Sequence, residues 1–271
     1  MAEPRARAAA SGPAAPAVST FPPSAEAPLL AARDVTFAYD VEPILDRVTL
    51  EIGPRDFLAI VGPNGGGKTT LLKVLLGLLE PQSGRVERPA RPAAIGYVPQ
   101  FATFDRDFPL RVADVVAMGR LGVRGALRRY TAEDRAAVAA ALARLGLESV
   151  ASTPVGDLSG GQLQRALIAR ALVGEPEVLL LDEPLASVDA EFREVLVETL
   201  ADLHRRLPIV VVTHDLTPFA GVVRQIGCMN RRLHYHAEGK LTPEMLEEVY
   251  GCPVELITHG VPHRVLAPHG D

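Results

Sequence analysis

Lysine is scarce in this chain: among 271 residues it occurs only at Lys68, Lys73 and Lys240, and arginine carries the rest of the basic charge. An ammonium at one particular place is therefore a pointed choice, because the planar arginine fork does not replace a compact point charge between phosphates. Cysteine is nearly absent too. Cys228 and Cys252 are too few for a disulfide framework and fit a reducing cytoplasm. Hydrophobic residues make up 48% of the chain, yet no run approaches the ~18 uninterrupted apolar residues of a membrane span. The formal charge of -5 leaves no basic footprint and argues against a nucleic-acid partner. At 271 residues the chain is long enough for one large domain or one and a half ordinary ones, with an ample core.

Residues 1–28 are Ala/Pro-rich, and "AAASGPAAPAVST" is too poor in Leu, Ile and Phe to supply the apolar stretch of a secretory signal. A disordered tail is expected there, with a transit-like address as the alternative. From Leu29 the character changes. Val35–Tyr39 and Val48–Ile52 alternate like half-buried strands, Asp56–Val61 is a short apolar strand, and Thr69–Leu79 reads as a helix closed by Pro81, Ser83 and Gly84. Ala94–Val98 is a further strand. Residues 101–157 hold helical patterns at Val112–Met118 and Ala132–Leu145 and no good strand, which predicts an inserted helical lobe. After Ser159 a helix runs to about Leu172, followed by strands at Val178–Leu181 and Ile209–Val212 around a helix at Ala190–Leu207. Apolar strands alternating with helices predict an α/β fold with a mostly parallel sheet.

Four motifs carry the chemistry. Gly62-Pro63-Asn64-Gly65-Gly66-Gly67-Lys68-Thr69 lies between a strand and a helix. Its glycines let backbone N–H groups curl around phosphate oxygens, and the helix N-terminus faces the same anion. Lys68 is expected to reach the β- and γ-phosphates and Thr69 to hold Mg²⁺, with Thr70 completing the ATP-binding run. Asp182 and Glu183 close the strand "VLLL". Neighbouring strand residues point apart, so Asp182 is assigned to Mg²⁺ and Glu183 to polarising the attacking water as general base. His214 ends the strand "IVVVT", where an α/β sheet places its ligand. It is expected to meet the γ-phosphate and hold water and Glu183 in register. Ser159-Gly160-Gly161-Gln162 opens a helix, with Ser159 as N-cap and both glycines exposing N–H groups to a second phosphate grip.

Together these motifs resemble the nucleotide-binding subunit of an ATP-binding cassette (ABC) transporter over about residues 32–228, and Leu158–Gln162 is the most specific part of the likeness. The resemblance implies a RecA-like, mostly parallel core with an antiparallel β part and an inserted helical subdomain at about 101–158. It also divides the chain into a tail (1–28), the ATPase domain (29–228) and a C-terminal extension (229–271). It assigns Tyr39 to stacking on adenine, against a plain strand tyrosine, and Gln100 to contact with Mg²⁺ or water and sensing of the membrane partner, against a surface loop residue. It assigns Asp189 to the loop that couples two active sites; Val188 stands where leucine is more usual. Because the signature of one subunit completes the P-loop of another, a second copy of the chain is expected as partner.

The absence of a fused membrane segment implies an importer-type subunit on the cytoplasmic face of the inner membrane, peripheral, beside a polytopic permease and, indirectly, a solute-binding protein. Phe104–Arg120 and the tail from Leu233 resemble the subfamily that powers zinc and manganese uptake. An iron chelate or haem is the alternative cargo, and a soluble non-transport ABC ATPase the alternative class. Phe101, Phe104 and Phe108 either dock the permease or pack inside the lobe. His234, His236, His259, His263 and His269, with Cys252, either form a solvated polar tail or a regulatory metal site. His234 and His236 would share a strand face, whereas the spacing of His259 and His263 is inconclusive.

Overall fold

Alternation and continuous burial divide the strands into two kinds. In the computed structural model, which describes residues 26–91, 94–100, 109–125, 128–186, 188 and 190–236 and the backbone of 256–259 and 263–266, β1 (Leu30–Phe37) and β2 (Leu45–Ile52) are half-buried. By contrast β3 (Phe57–Val61) is buried at every position. Helix α1 (Lys68–Leu75) follows, then β4 (Ser83–Glu87) and β5 (Ile95–Val98). Next come α2 (Val112–Met118), α3 (Leu121–Arg124), α4 (Ala132–Arg144) and α5 (Gly160–Leu172). The remaining elements are β6 (Val178–Asp182), α6 (Ala190–His204), β7 (Ile209–Val212), β8 (Gln225–Asn230) and β9 (Arg232–His236), and then β10 (Leu256–His259) and β11 (His263–Leu266).

The fold is α/β. Six strands in the order β5-β6-β7-β3-β8-β9 form the main sheet, parallel except for β9, and β2-β1-β4 form a separate antiparallel sheet. Alternate side chains of the parallel strands enter two different cores. Phe57, Leu179, Leu181, Ile209 and Val211 pack with the helices of the lobe and α6. Leu58, Ile60, Leu180, Val210 and Val212 pack with α1 and the antiparallel sheet. Such double-sided burial explains why β3, β6 and β7 read as unbroken apolar runs. Among the described residues of 109–158 the regular elements are helices and short 3-10 turns, apart from one bridge, Arg111 to Pro154. Among the described residues no helix is long and apolar enough to cross a membrane.

Several boundaries differ from the sequence reading: β1 and β2 begin earlier, at Leu30 and Leu45, α6 ends at His204, and two further shifts lie beside the phosphate loop. Helix α1 stops at Leu75 instead of Leu79, because Gly77 at φ 76° turns the chain before Pro81 is reached. The expected edge of the ATPase domain at residue 228 falls inside β8. Met229 is fully buried, and β8 pairs with β9 out to His236, so residues 229–236 are sheet rather than appendage. Phe101, Phe104, Phe108, Asp189, Cys252, His269 and the side chains of His236, His259 and His263 lie outside the described residues. Among the described residues no cluster of three potential metal-ligating side chains occurs.

The lobe is pinned by one buried ion pair. Thr131 caps α4 by accepting from Asp134 N, while Asp134 Oδ2 accepts from Thr131 N at 2.9 Å. Arg120 Nε donates to Asp134 Oδ1 at 2.9 Å, and a second nitrogen of Arg120 donates to Val173 O. The Thr131 N–H above all, and then the Arg120 guanidinium, hold the Asp134 carboxyl down from 3.8 to about 2. A depressed carboxylate stabilises the fold above its unfolded pKa and loses that contribution as pH falls through its folded one. Asp134→Asn is therefore expected to melt below wild type at neutral pH. In acid melts followed by circular dichroism the difference should close between pH 3.8 and about 2. A difference that stayed constant across that window would exclude the pair as its source.

Candidate nucleotide-binding site

Neighbouring parallel strands β5, β6, β7 and β3 each end, at the same edge of the sheet, in one or more of the candidate site residues. Gln100 follows β5, Asp182 and Glu183 close β6, Thr213-His214 follows β7, and Gly62 follows β3. The ladder continues past the strand ends: Glu183 N donates to Val212 O at 2.8 Å and Thr213 N to Ile60 O at 3.0 Å. Ligands of open α/β sheets bind in this position, outside the carboxyl ends of the strands.

The loop after β3 needs glycine for two physical reasons. Gly62 has φ 152°, and a Cβ there would sit 1.9 Å from Met229 O. Gly67, the N-cap of α1, has φ 96° and would place a Cβ 2.7 Å from Ile44 O. The first turn of α1 carries no acidic residue, so its positive end is left for an anion. Lys68 Nζ donates to Gly62 O at 2.8 Å and Pro63 O at 2.9 Å. Burial lowers the Lys68 pKa, against the opposing pull of Glu183 and Asp182. An ammonium already turned into the loop can exchange carbonyls for phosphate oxygens without leaving it.

On the acidic side Asp182 is almost wholly buried. Burial pushes its pKa up, first among causes, and the Thr69 hydroxyl bond opposes the rise. Its Oδ1 has no hydrogen-bond partner. A buried, unpartnered carboxylate oxygen beside the Thr69 hydroxyl, with Gln100 lining the same cleft, is the all-oxygen donor set that Mg²⁺ prefers. The residues fit the ion. The same carboxylate, after burial itself, raises the Tyr97 phenol to about 12.

Glu183 adopts φ 47°, an uncommon conformation for a residue with a side chain. Its Oε2 lies 2.8 Å from His214 Nδ1, the ring N–H donating to the carboxyl oxygen. The Glu183 side chain is 8% exposed and that of His214 64%. The imidazole thus covers the carboxylate from the solvent side, and strained backbone sits at the residue assigned to chemistry, as functional sites often show.

Tyr39, Asn64, Gly65, Gly67, Lys68, Thr69, Thr70, Gln100, Asp182 and Glu183 line one cleft of about 310 Å³. Gly62 and Pro63 form its back through their carbonyls, and Gly66 turns away to bond Arg231 N. Tyr39 is 57% exposed and meets Phe37 edge-on at 4.9 Å. Ser159, Gly160, Gly161 and Gln162 are not among the lining residues. Ser159 instead closes a capping box on α5, accepting from Gln162 N at 3.2 Å while Gln162 Oε1 accepts from Ser159 N at 3.0 Å. Sequence reasoning missed Ile44, which also lines the cleft, and the turn at Met229–Arg231, which braces the loop from behind. No motif marks either.

The strand order and the paired carboxylates place the domain among P-loop ATPases. The family model described as "ABC transporter" matches residues 45–186, and the chain belongs to that family, whose activity is ATP hydrolysis. Among its relatives is a Chlamydia muridarum protein named "Probable metal transport system ATP-binding protein", 41% identical over 194 residues, 70% of this chain and 82% of that one. The "Zinc import ATP-binding protein ZnuC" of Cereibacter sphaeroides is 40% identical over 221 residues, 80% of this chain and 84% of that one. A solved chain from a metal-chelate type ABC transporter in an inward-facing conformation superposes with a TM-score of 0.79. It is 28% identical and covers 90% of this chain and 98% of its own.

Proposed function

We propose that the chain is the ATP-hydrolysing subunit that energises import of a divalent metal ion, zinc or manganese, through a membrane permease. It works as a pair of copies, peripheral to the cytoplasmic face of the membrane, with a solute-binding protein delivering the metal. The observation that carries the ATPase reading is the Glu183–His214 hydrogen bond of 2.8 Å, set beside Lys68 and Asp182 at one sheet edge. The names of the relatives support the cargo.

Tyr39 stacks under adenine. Backbone N–H groups of Asn64 to Thr70 and the Lys68 ammonium hold the β- and γ-phosphates. Thr69, Asp182 and Gln100 hold Mg²⁺, which when bound neutralises phosphate charge. Glu183 orients a water toward the γ-phosphorus and takes up its proton, and His214 fixes the carboxylate and reaches the transferring phosphoryl group. Ser159 to Gln162 cap α5 at a place outside their own chain's cleft, which supports their serving the cleft of a second copy. Asp189 is assigned to coupling the two.

Turnover should therefore rise more steeply than linearly with protein concentration, or on adding the permease. A demonstrated monomer with concentration-independent turnover would exclude the paired reading. For the cargo, cells lacking this chain should regain uptake of radiolabelled zinc or manganese when it is restored. Restoration of ferric-chelate uptake alone would overturn the metal-ion assignment.

A further inference from the structure

Arg231 stands alone in the tight turn between β8 and β9, at φ 59°, where glycine or asparagine is the usual residue. Its backbone is held on both sides: Arg231 N donates to Gly66 O at 3.0 Å, and Arg231 O accepts from Asp46 N at 2.8 Å. Arg232 adds a bond to the Asp46 carboxylate at 2.7 Å. The turn is thus locked to the phosphate loop and to the start of β2. From this fixed point the Arg231 guanidinium reaches outward to Glu42 Oε2 at 2.9 Å. Glu42 lies in the segment 38–43 that carries Tyr39 between β1 and β2. That segment is closed at its base by Ile44 N donating to Phe37 O at 2.8 Å. Its outer half is exposed, Val41 reaching 95%.

We infer that Arg231 is a positioning residue for the nucleotide: through Glu42 it holds the Tyr39 segment against the cleft and so sets the affinity for the adenosine part of ATP. The inference rests on the nucleotide-site reading above, with Tyr39 under adenine. An exposed ion pair is ordinarily weak because two long side chains must both be immobilised. Here the Arg231 backbone is anchored beforehand, so the pair orders two side chains but does not have to order the turn that carries one of them. A residue strained at φ 59° is also hard to account for by folding alone, since glycine would serve the turn better.

Two variants separate positioning from structure. Arg231→Gly keeps both backbone bonds and relieves the strain, so its nucleotide-free melting temperature should equal or exceed that of wild type. Its ATP affinity should fall roughly two- to five-fold, the range an exposed pair allows, with kcat unchanged. Glu42→Gln should do the same, and in both cases the difference from wild type should shrink at high salt. Affinity for inorganic tripolyphosphate, which offers no adenine to Tyr39, should be the same in all three proteins. Variants with wild-type ATP affinity would overturn the inference alone, as would equal losses for ATP and tripolyphosphate. Wild type that bound neither probe would overturn the nucleotide-site reading and this inference together.

Discussion

Glu183→Gln is expected to retain ATP binding while turnover drops by roughly 10²–10⁴-fold, the usual contribution of a general base. The substitution keeps size and the hydrogen-bonding reach toward His214 but removes the ability to take a proton from water. The backbone at φ 47° is set by the ladder bond from Glu183 N to Val212 O and by Ala186 N donating to Glu183 O, neither of which depends on the side chain. Binding should survive for that reason. With hydrolysis blocked, ATP should hold two copies together as a species of doubled size on size-exclusion chromatography. Near-normal turnover in this variant would move the base to another residue.

Asp182→Asn should separate stability from activity in opposite directions. The folded carboxyl has a raised pKa, chiefly from burial. Such a group stabilises the fold most below its unfolded pKa of 3.8 and loses that contribution as pH rises through the folded value. Ionising this buried carboxyl as pH rises therefore costs the nucleotide-free fold stability. Asparagine removes the charge, so the nucleotide-free melting temperature at neutral pH should rise, and its decline with pH just above 3.8 should flatten. Hydrolysis should fall by roughly 10²-fold or more, as expected when several kcal/mol of charge stabilisation are lost at the phosphates. Thermal melts with and without Mg-ATP would check both halves. A melting temperature lowered by the substitution would mean that the Thr69 bond, and not burial, governs Asp182.

The placement of the phosphate loop, the paired carboxylates and His214 was legible in the sequence because each sits at the end of a buried strand, where local pattern and tertiary position coincide. Gly62 to Thr70, Asp182, Glu183 and His214 could be read in that way without knowing which strands were neighbours. The sheet order β5-β6-β7-β3 then brings them to one edge. What could not be read were contacts between segments far apart in the chain. Nothing near Gly62 announces that Met229 O will stand against it, nor does Glu42 point to Arg231 across 189 positions. The sequence "QIGCMN" lacks the alternation of a half-buried strand, because β8 lies between β3 and β9 inside the sheet. The core therefore seemed to end there. Helix α1 read too long for a different reason: Leu76, Leu78 and Leu79 keep the apolar period going after Gly77 has turned the backbone.

The placement of β3 in the sheet has a consequence for how the protein is made. β3 and the phosphate loop leave the ribosome early, but the strands on either side of β3 are β7 and β8, starting at Ile209 and Gln225. At synthesis rates on the order of ten residues per second, the loop waits on the order of ten seconds for either neighbour. Throughout that interval an apolar strand with both edges unpaired is exposed to other chains and to chaperones. The turn at Arg231 can close behind Gly66 only after β8 has been made. The bracing of the phosphate loop is thus tied to synthesis past Arg231, and a chain cut short before β8 should be recognised in the cell as unfinished.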